Sequence, residues 1–133
     1  MDYAPGTMKG REDIESYLIK VGLPFEQIAP NIWNVKAEHS NLLISIAGPV
    51  VVFRTKVMDL PPGNREQLYE TMLRLNTSEM VHGAFGIEDD SVVIANALAL
   101  ENLDYNEFSG VVDDFGLAVA KHYPTLSKFR PAA

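Results

Sequence analysis

The chain has 133 residues, 47% of them apolar and 22% charged, with a formal net charge of −7 and no cysteine. That length supports one domain with a core of its own, and the composition is not that of a disordered chain. The acidity repels phosphate backbones and anionic lipid, so neither nucleic acid nor a membrane surface is expected as a partner, and the lack of cysteine excludes disulfides, thiolate catalysis and cysteine-bearing zinc sites.

Residues 1–8 read as a loose lead-in around Pro5 and Gly6, without the basic and apolar regions of an export signal, so a cytoplasmic location is expected. Ile14, Tyr17, Leu18 and Val21 recur at helical spacing and predict a helix over about residues 9–21, stopped by Gly22 and Pro24. A short strand at 32–36 follows, with a strand-like fragment at 26–29 ahead of Pro30-Asn31. Residues 41–47 alternate, with Leu42, Ile44 and Ile46 on one face and Leu43, Ser45 and Ala47 on the other. Gly48-Pro49 turns the chain into a return strand over 50–58, where Val51, Phe53 and Val57 oppose Arg54 and Lys56. The apolar run 42–53 is broken by Ser45, Gly48 and Pro49 and is too short to span a bilayer.

Beyond Pro61-Pro62-Gly63, Asn64 is a natural N-cap, with Gln67 three residues on to complete a capping-box-like pair. The helix it opens should run to about Leu75. Leu68, Met72 and Leu75 make its stripe; Tyr69 and Leu73 widen that stripe beyond what one-sided burial requires, and Met80 lies just past the end. Residues 82–88 and 92–100 read as a hairpin turning through Glu88-Asp89-Asp90-Ser91. Asp104, with Glu107, caps a last helix whose stripe is Phe108, Val111, Val112, Phe115, Ala118 and Val119; Pro124 should end it, leaving 125–133 as a tail. No repeat or linker divides the chain. The prediction is a single α+β domain over 1–133: an antiparallel sheet of about five strands with helices packed on it, in the order α-β-β-β-α-β-β-α.

No catalytic motif competes with that layout. Glu88-Asp89-Asp90 lacks the spacing and glycine of a calcium loop and reads as a solvated turn, as Asp113-Asp114 reads as a solvated helix flank. His39, His82 and His122 lie far apart, without metal-ligand spacing; His122 falls at a helix end, where a protonated imidazole suits the dipole. Gly83-Ala84-Phe85-Gly86 has no lysine and opens no helix, so it is no phosphate loop. No metal, cofactor or catalytic residue is expected, and the chain reads as a non-enzyme.

The element order over about 9–123 resembles the type III secretion chaperone and YbjN-like superfamily. Locally the resemblance rests on Leu75-Asn76 after the second helix, on Phe85-Gly86-Ile87-Glu88-Asp89-Asp90 leading into Val92-Val93-Ile94, and on Leu100-Glu101-Asn102-Leu103 before the last helix. The chain departs from it at Asp89-Asp90-Ser91, where related sequences often carry aspartate then glycine, and in the Arg54 and Lys56 pair on one strand face. The resemblance implies a non-enzymatic homodimer that holds an unidentified partner polypeptide through apolar surface. The width of the second helix nominates Tyr69, Leu73 and Met80 for the dimer interface, and the apolar strand segment nominates Leu42, Ile44, Ile46, Val51 and Phe53 for the partner-binding surface. A YbjN-like regulator acting through protein contacts is the alternative. A small-molecule binder or enzyme, with Tyr69, His82 and Asn96 between sheet and helices, is the reading from another class.

Overall fold

Three helices and six strands follow one another in a computed structural model of the chain that describes residues 8–37 and 40–131. They are α1 (Arg11–Val21), β1 (Phe25–Ala29), β2 (Ile32–Lys36), β3 (Asn41–Ala47), β4 (Val50–Asp59), α2 (Arg65–Ser78), β5 (Ala84–Glu88), β6 (Ser91–Ala99) and α3 (Tyr105–Leu126). The strands form one antiparallel sheet in the order β1-β2-β3-β4-β6-β5. The single α+β domain expected from the sequence is therefore present, with the fragment before Pro30 paired as a sixth strand. Asn31 turns the β1–β2 hairpin and Gly48 the β3–β4 hairpin in the left-handed region, at φ 62° and 58°. Asp89 does the same between β5 and β6, at φ 53°.

Cross-strand register decides which side chains share a face. Leu42 pairs with Thr55, Ile44 with Phe53 and Ile46 with Val51, and Phe53 in turn pairs with Asn96 on β6. This inner set meets the buried faces of the helices: Ile14 and Leu18 of α1, Leu68 and Met72 of α2, and Phe108, Val111, Phe115 and Val119 of α3. Phe53 lies at the middle, its ring centroid 5.4 Å from Phe108 and 6.3 Å from Phe115. Thr55, the one hydroxyl in this layer, is satisfied by the Asn41 carbonyl at 2.8 Å. Tyr17 closes the seam between α1 and α3: its hydroxyl donates to the Leu103 carbonyl (3.1 Å) and its ring packs on Tyr105 and Phe108. Burial, and then the charges of Asp13, Asp104 and Glu107, hold the Tyr17 phenol above its usual pKa.

Four expectations need correction. Leu42, Ile44, Val51 and Phe53 are in the closed core and Ile46 packs against it, so these side chains offer no partner a surface. Period-2 alternation put them on one face, and the helices claimed that face. Asn64 holds the N-cap position, its carbonyl accepting from the Leu68 amide at 3.1 Å, but at φ 57° and ψ 26° its side chain makes no capping bond, which needs the extended region, so the expected capping box is absent. Asp104 does cap, accepting from the Glu107 amide at 2.8 Å while Glu107 accepts from the Asp104 amide at 3.2 Å. Pro124 does not end α3, which continues to Leu126 because His122 and Leu126 are buried on either side of it. A proline in a last turn forfeits one backbone bond; two buried anchors outweigh that. Residues 125–131 thus carry the end of α3 and a Ser127–Phe129 turn, and 132–133 lie outside the described residues.

Of the lead-in, residues 1–7 lie outside the described residues; Met8 bridges Glu101, and the Lys9 amide donates to the Leu100 carbonyl at 3.0 Å.

Phe53→Ala should lower the unfolding free energy by about 3–5 kcal/mol, since a cavity would open where sheet and α3 meet. Urea denaturation measures it; a loss below 1 kcal/mol would remove Phe53 from the centre of the core.

Candidate functional site

Three large apolar side chains stand in the open on α2, on the loop after it and on α3. Leu73 is 66% exposed, Val81 81% and Leu117, on the adjoining flank of α3, 67%. Leu68 and Met72 use the inner face of α2, so Leu73 is left on the outer one, with Tyr69 partly buried between. The helix ends as the Glu79 and Met80 amides both donate to the Leu75 carbonyl, at 2.9 and 3.2 Å. Met80 then folds back onto the core while Val81 points out.

This connecting loop, residues 79–82, is tied to α3 at both flanks. Lys121 Nζ lies 2.6 Å from Glu79 Oε1, and His82 Nδ1 bonds the Asp114 carboxylate. Asp114 is therefore engaged in a side-chain pair instead of being a solvated flank; Asp113 is exposed as expected. Gly83 lets the loop press on the core. At its φ of +85°, a Cβ would stand 2.9 Å from the Phe115 ring and 3.0 Å from the Ala95 carbonyl. Between loop and helix lies a depression of about 300 Å³ lined by Met80, Val81, His82, Leu117, Ala118 and His122.

His122 reverses the sequence expectation. It is 5% exposed, with its ring edge-on to Phe85 at 6.0 Å. Burial, and then the neighbouring Lys121 charge, push its pKa below the ordinary value, against a smaller pull from Glu79. The helix continues past it, so no free carbonyl end rewards a proton there. Glu79 is held below its own usual range by its hydrogen bond to Lys121.

The two edges of the sheet differ. At β5, Asn76 from the last turn of α2 uses both ends of its amide: Oδ1 accepts from the Phe85 N–H at 2.7 Å and Nδ2 donates to the Phe85 carbonyl at 3.1 Å. A side chain thus takes the place that a neighbouring strand would fill. Among the described residues no side chain bonds β1 in this way, and Ile28 there is 53% exposed. The face of the sheet turned from the helices carries Leu43, Ser45 and Ala47 beside Arg54, Val52 and Val50, then Ala95, Ala97 and Ala99. These residues are exposed or half-buried, and Arg54 pairs with Glu88 across the same face at 3.2 Å.

Of the residues nominated from sequence, Leu73 is fully available and Tyr69 and Met80 only partly so. His82 lines the depression; Tyr69 and Asn96 do not join it there. His39 lies outside the described residues, and among those described no three His, Asp or Glu side chains converge to hold a metal ion. No helix of the described residues is long and apolar enough to cross a membrane. Sequence reasoning missed Val81 and Leu117. Leu117 had a signal: it is a large apolar residue off the α3 stripe.

The CesT_Tir_1 family model matches residues 8–131. None of the curated proteins matches. Several solved structures share the fold, three of them as follows. A chain of the heterodimeric ExoU–SpcU complex from the type III secretion system of Pseudomonas aeruginosa is 16% identical, with 86% of this chain and 98% of that one covered at a TM-score of 0.71. YbjN from E. coli is 12% identical, with 90% and 96% covered at 0.64. The Yersinia pestis type III secretion chaperone SycH, in complex with a fragment of YscM2, is 18% identical, with 85% and 95% covered at 0.58.

Asn76→Ala should expose both Phe85 backbone groups and cost about 1–3 kcal/mol. The Phe85 amide should exchange with deuterium faster, ahead of its β6 neighbours; unchanged exchange would mean that the edge is held by something other than Asn76.

Proposed function

The chain belongs to the CesT_Tir_1 family, and on that premise we propose that it is a non-enzymatic, chaperone-like protein that works as a homodimer and holds a partner polypeptide. The observation that carries this reading is that Val81 and Leu117 stand exposed on the walls of one depression, with Leu73 exposed on α2, each at least 66% exposed on a chain of net charge −7. Exposed apolar side chains grouped on a small acidic protein mark an interaction surface. The second copy sits there, on α2 and the loop after it, with Tyr69 and Met80 supporting Leu73 from beneath. Burying each large apolar side chain supplies about 1.5–3 kcal/mol, and two-fold symmetry counts every residue twice.

The partner polypeptide takes the other open surfaces: the uncovered sheet face around Leu43, Val50 and Val52, and the β1 edge, where an extended segment adds as a strand. Support comes from the family and from the likeness to ExoU–SpcU and SycH–YscM2, both solved as complexes. A cytoplasmic location goes with this role. The likeness to YbjN supports a second reading, a regulator that acts through protein contacts without escorting a substrate. Secretion genes or a cognate substrate beside the coding sequence separate the two: a chaperone has them, a regulator does not.

Light scattering on the purified chain should give twice the 14.7 kDa protomer mass. Leu73→Glu should return one protomer mass, because an unpaired carboxylate is costly to bury. A dimer that survives Leu73→Glu would take α2 out of the interface.

A further inference from the structure

Helix α1 has 11 residues and α3 has 22. The ring and cation contacts of α1, from Tyr17 and Lys20, fall on Tyr105 and Phe108 at the start of α3. The later turns of α3 run on beyond α1, and a groove opens along the flank they turn away from the 79–82 loop. One depression of about 480 Å³ lies against Val112, Gly116 and Ala120 and is closed by Leu23. A second, of about 440 Å³, lies against Ala120, Tyr123 and Pro124, with Val57 and Val119 also in its lining. Ala120 lines both, so the two depressions form one groove. From Val112 to Tyr123, at a rise of 1.5 Å per residue, it is about 16 Å long.

The two ends of this groove differ in charge. At one end Arg130 Nη1 donates to the Tyr123 hydroxyl at 2.6 Å. The phenol keeps its own proton to give, and a guanidinium with five donors stands beside the groove. Asp59 is near enough to feel the Arg130 charge, but its carboxylate is engaged by Lys56 at 2.5 Å. At the other end the exposed Asp113 lines the groove. Between the ends Val57, Gly116, Val119 and Ala120 present no polar side chain. We propose that the groove binds a long-chain carboxylate, its head on Arg130 and the Tyr123 hydroxyl and its chain laid along Ala120 and Gly116 toward Leu23. A guanidinium beside a phenol offers the adjacent donors that a planar carboxylate accepts together. Asp113 repels the head from the opposite end and so sets the direction. The site needs no second copy and lies apart from the surfaces assigned to the partner polypeptide.

The net charge of −7 opposes any anion at long range, so the buried chain supplies the affinity and Arg130 the selection. Each methylene that enters the groove should tighten binding by up to about fourfold. Gly116 keeps the middle of the groove open. A glycine inside a helix weakens it relative to alanine, and packing does not require one here, since a Cβ at this position would meet nothing within 4 Å. Gly116→Leu therefore plugs the groove without straining the core.

The test is calorimetry on the full chain with hexanoate, octanoate and decanoate, each below its micelle-forming concentration, and with decanol as the uncharged probe. Circular dichroism confirms that every variant is folded, and NMR locates the bound chain through the Ala120 and Tyr123 amides. Decanoate should saturate one site per chain, and affinity should rise along the series by about twofold to fourfold per methylene. Gly116→Leu should weaken decanoate at least about tenfold, as the lost chain contacts require. Arg130→Gln should weaken decanoate at least about tenfold but decanol less than about threefold, because only the carboxylate uses the guanidinium. Ile19→Ser, at an exposed position on α1, should leave both unchanged. The proposal is overturned if decanoate shows no saturable binding, if wild type holds decanol as tightly as decanoate, or if Gly116→Leu binds decanoate undiminished. Any of these leaves the chaperone-like reading standing, since that reading rests on other surfaces.

Discussion

The contact of Phe53 with Phe108 and Phe115 is the constraint on which the other surfaces depend. It places a large rigid side chain from the middle of the sheet between two aromatics one helical stretch apart on α3, and so fixes where that helix lies. With α3 fixed, Phe115 stands against Gly83, which sets the loop beyond α2, and Asp114 and Lys121 reach the residues that clamp that loop. One hydrophobic junction in the core thereby positions Val81 and Leu117 at the surface. The same junction draws the helices to a single side of the sheet and leaves the opposite side open.

Much of the fold was legible because both periods are strong. The 41–47 and 50–58 alternations predicted two paired strands, and the register Ile44 with Phe53 follows from the short Gly48-Pro49 turn. Asp104 and Glu107 announced the start of α3 at the right residue. What failed were inferences from one residue type in isolation. Asn64 and Pro124 are punctuation by composition, yet Asn64 stands in a left-handed conformation after two prolines and a glycine, and Pro124 is overruled by buried neighbours. β1 was legible only as a fragment because its burial comes from pairing with β2 and not from an alternation of its own.

The candidate site was harder to read, for a reason that applies to any surface built between elements. Leu73 showed itself as excess width on α2, a property of one helix. His82 with Asp114, and Glu79 with Lys121, join residues 32 and 42 positions apart, and no local pattern carries such pairs. The same holds for the two faces of the strands. Alternation separates the two sets, Leu42, Ile44 and Ile46 from Leu43, Ser45 and Ala47, but which set is covered depends on where the helices land. His122 was assigned by its nearness to a helix end and turned out to be buried, with its ring edge-on to Phe85 of a distant strand.

The inequality of the sheet edges bears on polymerisation. A filament built by strand pairing needs a donor edge and an acceptor edge on every subunit, so that each addition regenerates the template. Here β5 offers at Phe85 a backbone whose donor and acceptor are already consumed by one asparagine. A chain that joins another through β1 consequently presents a blocked end, and growth stops after the first step. An exposed strand can thus remain available for capture without turning the molecule into a seed for its own aggregation.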